Sequence, residues 1–271
     1  MQAKKDKETV IILELVSAIR KHMDRYGIKK LYLDIKADLL NNNIKMGRDV
    51  FYRFARYHNL LVPKTKLYHI TTNSNHGFHK SDDLLANLKI TRAEQVVVND
   101  ITYLKLANEH AYLAFTTDVY SKQILGYKVD TNMRVQLVIE AMEMAVKNRI
   151  YPHRTMITHS DRGLQYCCPA YTNMAKKHGL ILSTTQNSSP YENAVAERIN
   201  GIMKQEFGLN RVIPNLETAQ KMVKQAVEIY NNERRHCSLN MKTPAYAHKH
   251  EEHEYKSYKK EKKQLNDPQN N

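Results

Sequence analysis

The most strand-like stretch of the chain has a carboxylate at its centre. Residues 95–106, QVVVNDITYLKL, are β-branched and apolar, as a buried strand should be. Asp100 interrupts them between Asn99 and Ile101. A carboxylate withdrawn from water is costly without a hydrogen-bond partner, a cation or a metal. Any fold built on this strand must therefore compensate Asp100, or place it at a strand end where it caps a neighbouring loop. The residue alone leaves both readings open.

The sequence around it reads as alternating strands and helices. Residues 111–117 (AYLAFTT) and 123–129 (QILGYKV) follow after short polar breaks, which predicts an antiparallel meander. Residues 133–147 are helical, with Val138, Ala141, Met142 and Ala145 inward. A short strand over 155–159, a helix over 169–178 and a strand over 180–184 come next. Two helices close the pattern, one holding Glu197 and one over 216–231 with Ala219, Val223, Ala226 and Tyr230 on its stripe. The order β-β-β-α-β-α-β-α-α places the chain in the α/β class.

The preceding residues have a different texture. Residues 5–26 predict an amphipathic helix with Ile12, Val16, Ile19 and Met23 on one stripe, ended by Gly27 as its C′ residue. A second helix is expected over 31–40, a turn at Asn41-Asn42-Asn43, and a third helix over 47–57. In the third, Val50, Phe51 and Phe54 should face inward while Arg48, Arg53 and Arg56 project elsewhere. Two short helices across a tight turn fit a DNA-binding helix-turn-helix. They fit equally a small basic bundle that only packs or dimerises. Residues 63–93 lose periodicity and read as a linker; His69, His76 and His79 match no zinc spacing. Residues 249–271 read as a basic, disordered tail.

Composition narrows the partners. Forty-two Lys and Arg against 28 Asp and Glu give a formal charge of +14 and a pI near 9.5. That excess suits a polyanion, because neutralised phosphates release condensed counterions. No apolar run approaches the roughly 18 residues needed to cross a bilayer, and no secretory pattern opens the chain. Three cysteines without a C-x-x-C pair suit a reducing cytoplasm.

Two further acids stand out. Asp161 follows the strand-like MITHS and precedes Arg162-Gly163, at the carboxyl end where open α/β sheets place ligands. In SPYENAVAERINGIMKQE (189–206), Glu197 shares its helical face with Asn193, Asn200, Gly201 and Lys204, while Val195, Ile199, Ile202 and Met203 form the core stripe. Glu192 has a structural task in a capping box with Ser189, Pro190 being the first helical residue. Glu206, nine residues beyond Glu197, lies roughly 180° around the helix and cannot join it. Carboxylates from two strands and a helix suit Mg²⁺ or Mn²⁺. Two such ions about 3.5–4 Å apart could serve an in-line displacement at phosphorus. His159 could be a ligand, a phosphate contact or a core residue.

The motifs NDITYL, TDVYSKQILGY, THSDRGLQY, SPYENAVAERINGIMKQE and YNNERRHCSLNMKTP occur in that order. Together they resemble the transposases of the insertion-sequence-three family, within the D-D-E transposase and retroviral-integrase superfamily. Thirty-five residues separate Asp161 from Glu197, the interval of that family. The resemblance is close over 94–244 and looser in the N-terminal helices. It implies a ribonuclease-H-like catalytic core, a mixed five-stranded sheet flanked by helices, over 94–248, with a small all-helical region over 1–62. It further implies that Asp100, Asp161 and Glu197 are the catalytic, metal-binding triad, and that Asp118 supports the sheet edge. The activity implied is metal-dependent cleavage and strand transfer at insertion-sequence ends. A hydrolytic nuclease of the same fold and a decayed DNA-binding remnant are the alternatives. Arg198 and Lys204 are candidate DNA contacts beside Arg48, Arg53 and Arg56. The resemblance also implies a homo-oligomer on DNA, a bacterial cytoplasmic setting, and an upstream-frame helix-turn-helix protein joined by frameshifting.

Overall fold

The computed structural model describes residues 2–63, 77–85, 88–185 and 194–254. The capping box around Ser189 and Glu192, the histidines at 69 and 76, and most of the C-terminal tail lie outside those residues.

Three strands, β1 (Val96–Lys105), β2 (His110–Asp118) and β3 (Ile124–Asp130), form an antiparallel meander because the connections between them are too short for anything else. Helix α4 (Val135–Lys147) then supplies a crossover, and β4 (Ile157–Ser160) pairs parallel with β1. A second crossover through α5 (Leu164–Cys167) and α6 (Pro169–Lys177) brings β5 (Ile181–Thr184) parallel to β4. The sheet is thus the expected mixed one, five strands in the order β3-β2-β1-β4-β5. Residues 81–85 and 88–93 run against it: Ser183 Oγ accepts from the amide of Leu84 at 3.0 Å, and Ile90 and Ala93 are buried.

β1 lies at the centre, covered on both faces, which is why its sequence is a nearly unbroken apolar run. Val96, Val98 and Leu104 pack with Val195, Ile199 and Ile202 of α7 (Ala194–Glu206) and Ala219, Val223 and Tyr230 of α8 (Leu216–Asn232). Val97 packs with Leu137, Ala141, Ala145 and Tyr171 on the other face. Asp100 shares the parity of Val96 and Val98 and so belongs to the α7 side. The α4 side is closely packed: a Cβ on Gly126 would lie 1.9 Å from the carbonyl oxygen of Ala141.

The N-terminal helices are α1 (Gln2–Arg20), α2 (Ile28–Asn41) and α3 (Arg48–Tyr57). Two expectations need correction here. α1 stops at Arg20, and Gly27 is the N-cap of α2 with φ −70°, so it supplies no left-handed C′ position. Val50 is 43% exposed; Ala55 takes its place inward beside Phe51. The turn between α2 and α3 falls where expected, with Asn43 at φ 58°.

These helices are tied to the end of α7 by buried ions. Arg234 donates twice to Glu206, at 2.7 Å each, and the Lys30 ammonium lies 3.5 Å from the same carboxylate. Asp34 pairs with Arg235 and accepts from the Tyr26 hydroxyl at 2.8 Å. Glu206 is thus engaged structurally, away from Glu197's face. Burial alone would raise its pKa, but Arg234 and Lys30 bring it below the usual range.

A second buried network holds the C-terminal helix α9 (Pro244–His250). Glu94 accepts from Arg149 Nε at 2.8 Å and from the amides of Ile150 and Tyr151 at 2.7 and 3.2 Å. His248 lies between Glu94 (3.3 Å) and Asp118 (3.7 Å), and its Nδ1 meets Ser121 Oγ at 2.9 Å. Asp118 in turn accepts from the amide of Glu94 at 2.8 Å and from the amide and hydroxyl of Ser121 at 2.6 Å. Burial acts to raise the Glu94 pKa, yet its donors hold it down to about 2. Burial acts to lower that of His248, yet the two acids push it up to about 9.

Two predictions follow from these networks. Arg234→Ala leaves Glu206 with Lys30 alone and should cost about 3–5 kcal/mol in urea unfolding, as when one partner of a buried pair is removed. His248 has a raised pKa, so its contribution to stability is full below about pH 6.5 and lost as pH rises through about 9. The melting temperature of the wild type should therefore fall across that window, and His248→Ala should be less stable at pH 6 with that fall abolished.

Candidate active site

The register of the sheet brings two acids side by side. β1 and β4 are parallel with Val98 opposite His159. Two residues further along each strand stand Asp100 and Asp161. β4 ends at Ser160, so Asp161 leaves the sheet at its carboxyl edge, where its Oδ1 accepts from the amide of Gly163 at 2.9 Å. A side chain at 163 would crowd that carboxylate, since a Cβ would lie 2.9 Å from Asp161 Oδ1. Arg162 turns away and donates to the carbonyl of Thr185 at 2.6 Å, bridging the ends of β4 and β5.

α7 supplies the third acid. Val195, Ile199, Ile202 and Met203 are buried, which turns the face of Glu197, Asn200 and Lys204 along the edge of β1. Asn200 Nδ2 donates to Asp100 Oδ2 at 2.5 Å and fixes the helix against the strand. The face is therefore not wholly solvent-directed: Asn200 is buried, Lys204 half-buried, Glu197 and Arg198 exposed.

The three acids lie within electrostatic range of one another. Burial is the largest cause of the Asp100 shift; the negative charge of Asp161 and then that of Glu197 add to it, and the pKa is pushed up to about 7. Partial burial also raises that of Glu197. Burial lowers the Lys204 pKa while Asp100 opposes the fall, which places this ammonium within reach of the same cluster. Among the described residues no three His, Cys, Asp or Glu side chains are close enough together to enclose a metal ion. The three carboxylates sense one another without forming a closed ligand cage.

Other candidates are placed elsewhere. His159 is fully buried, with Nδ1 2.9 Å from Ser183 Oγ. Asp118 lies at the far end of β2, paired in register with Val97 and engaged by Ser121 and Glu94. Arg48, Arg53 and Arg56 are exposed on α3, and His79 is exposed before the sheet. Asn200 is the residue that sequence reasoning undervalued. Its position three after Glu197, on the same helical face, was the available signal.

Two family models, each described as "Integrase core domain", match residues 90–190 and 178–244. A 31 kDa protein of insertion element IS600 from Shigella sonnei is 31% identical over 89% of this chain and 88% of its own length. The transposase InsF of insertion sequence IS3A from Escherichia coli (strain K12) is 28% identical over 82% of this chain and 76% of its own length. Among solved structures, a chain of the simian T-cell lymphotropic virus intasome, in complex with a PP2A regulatory subunit, superposes with a TM-score of 0.50 at 18% identity. That match covers 66% of this chain and 61% of the viral one, and speaks for the fold alone. With the sheet order, the integrase-core matches and the relatives in agreement, the chain belongs to the insertion-sequence-three family of transposases.

Proposed function

We propose that the protein is the catalytic component of a transposase, cleaving DNA at insertion-sequence ends and joining the freed 3′ end to a target. The observation that carries this reading is the placement of Asp100, on the strand that pairs parallel with the one leading to Asp161 and hydrogen-bonded to Asn200 of the helix that bears Glu197; burial first, then the charges of Asp161 and Glu197, push its pKa up. Such a cluster is unfavourable by itself and is relieved by positive charge. Its donors are all carboxylate oxygens, which fit Mg²⁺ or Mn²⁺, as one ion or a pair. The fit is one of donor chemistry and charge.

Asp100, Asp161 and Glu197 would hold the metal. When bound, it supplies Lewis acidity to the attacking and leaving oxygens of an in-line displacement at phosphorus. The chain's own part is to fix the donors. Asn200 holds one oxygen of Asp100, the Gly163 amide holds one of Asp161, and the buried stripe of α7 sets the height of Glu197. Lys204 and Arg198 stand on the helix that carries Glu197, where a phosphate backbone following the site would meet them. Arg48, Arg53 and Arg56 on α3 would bind DNA at a distance, giving the division into a DNA-binding region (1–62), a connecting segment (63–93), a catalytic core (94–248) and a basic tail. Two DNA ends must be paired, so a homo-oligomer on DNA and an upstream-frame partner joined by frameshifting belong to the same proposal.

The reading is tested by strand cleavage and strand transfer on DNA carrying the element's ends. Each 1.4 kcal/mol is about tenfold in rate and a catalytic metal supplies several kcal/mol. Glu197→Gln should therefore lower Mg²⁺-dependent cleavage by about a hundredfold or more with folding and DNA binding intact. Undiminished cleavage in that variant would overturn the assignment. Because Asp100 must be ionised to bind metal, the Mg²⁺ concentration for half-maximal cleavage should rise as pH falls through about 7. A requirement independent of pH between 6 and 8 would count against Asp100 as a ligand.

A further inference from the structure

α7 has a glycine in its interior. Gly201 is the only glycine inside a helix among the described residues. It is a poorer helix former than alanine, because glycine gives up the most backbone freedom on folding. Elsewhere the surroundings require the glycine. A Cβ on Gly126 or Gly163 would strike a neighbour, and Gly179 and Gly208 have positive φ. Neither reason holds at Gly201. Its φ is not positive, and a Cβ there would meet nothing within 4 Å among the described residues. Packing leaves room for a side chain that the sequence does not supply.

The space over Gly201 is bordered by polar and charged groups. Residues three and four apart share a helical face. Here they are Glu197 and Arg198 on one side, both exposed, and Lys204 and Gln205 on the other, both partly exposed. The helix cannot roll to cover this face. Its opposite stripe is buried, and Glu206 at its end accepts from Arg234 at 2.7 Å. The two bordering cations are uncommitted. Among the described residues neither Arg198 nor Lys204 makes a side-chain hydrogen bond or an ion pair, whereas Lys30, Arg149, Arg234 and Arg235 are each matched to an acid. A bare stretch of main chain between two uncommitted cations suits the close approach of a polyanion's backbone.

We propose that Gly201 is a DNA-binding position, where the sugar-phosphate backbone lies directly against the main chain of α7 and Arg198 and Lys204 reach phosphates on either side. The inference rests on the DNA-acting reading above and adds that the helix backbone itself, about 6 Å along the axis from Glu197, belongs to the interface. Such a contact positions DNA and reads no sequence.

The test is binding of a fluorescently labelled duplex carrying an insertion-sequence end, followed by anisotropy over a range of salt concentrations, beside thermal unfolding of the DNA-free chain. Wild type, Gly201→Ala, Gly201→Leu, Arg198→Gln and Gln225→Leu are compared. Gln225 is exposed on α8 and controls for added bulk. Both Gly201 variants should melt about 2–4 °C above wild type, because a better helix former enters open space. Gly201→Leu should bind DNA about tenfold more weakly, with a salt dependence shallower by about one to two phosphate contacts, and Arg198→Gln should lose about one. Gly201→Ala should fall between wild type and Gly201→Leu, and Gln225→Leu should bind as wild type does. Wild-type affinity and salt dependence in Gly201→Leu, or an equal loss in Gln225→Leu, would overturn the placement of DNA on Gly201. A lower melting temperature in both Gly201 variants would show that the chain itself fills the space, and would overturn it too. Absence of DNA binding by wild type would overturn the DNA-acting reading and this inference with it.

Discussion

A carboxylate taken out of water must be met by positive charge or hydrogen-bond donors, and this protein meets the requirement unevenly. Glu94 collects Arg149, two backbone amides and His248, and its pKa falls to about 2. Glu206 collects Arg234 twice and Lys30, and its pKa is also lowered. Asp100 has the Asn200 side chain and the Ile101 amide but no cation, and burial first, then the charges of Asp161 and Glu197, push its pKa up to about 7. The first two are cross-links between distant parts of the chain. The third is a concentration of like charge that the fold maintains against its own stability.

What maintains it is backbone geometry rather than side-chain attraction. Parallel pairing of β1 with β4 aligns Asp100 and Asp161, and the crossover through α4 is what permits parallel pairing at all. Gly126 lets α4 sit directly on β3, and a side chain there would displace the helix. The apolar stripe of α7 then presents Glu197 and Asn200 to the strand edge. The two compensated networks close this frame at its ends: Glu206 and Arg234 hold the far end of α7 against the N-terminal helices, while Glu94 and His248 hold α9 against the start of β1.

Much of this was legible in the sequence because it is written in periodicity. The β-branched run of β1, the meander and the stripes of α4, α7 and α8 each carry a local signal, and helical phase alone separated Glu197 from Glu206. The order of the motifs and the 35 residues between Asp161 and Glu197 are what connect the three acids in the sequence. Local signals failed where tertiary contacts decide. Gly27 looked like a helix stop, but the chain leaves α1 at Arg20 and uses the glycine to begin α2. Val50 fits an apolar stripe by type, yet the face of α3 that meets α2 is set by Phe51 and Ala55. The pairings of Arg234 with Glu206 and of Glu94 with Arg149 span 28 and 55 residues, and no periodic pattern encodes such contacts.

Where Glu94 and Glu206 are buried, partners are supplied in full; beside Asp100, Asn200 Oδ1 is buried with hydrogen-bonding capacity unused. Natural sequences break such local rules chiefly at functional sites, where the cost is recovered when a ligand arrives. On the reading proposed above, the excess negative charge at Asp100 is what a cation held between the strands and α7 would relieve.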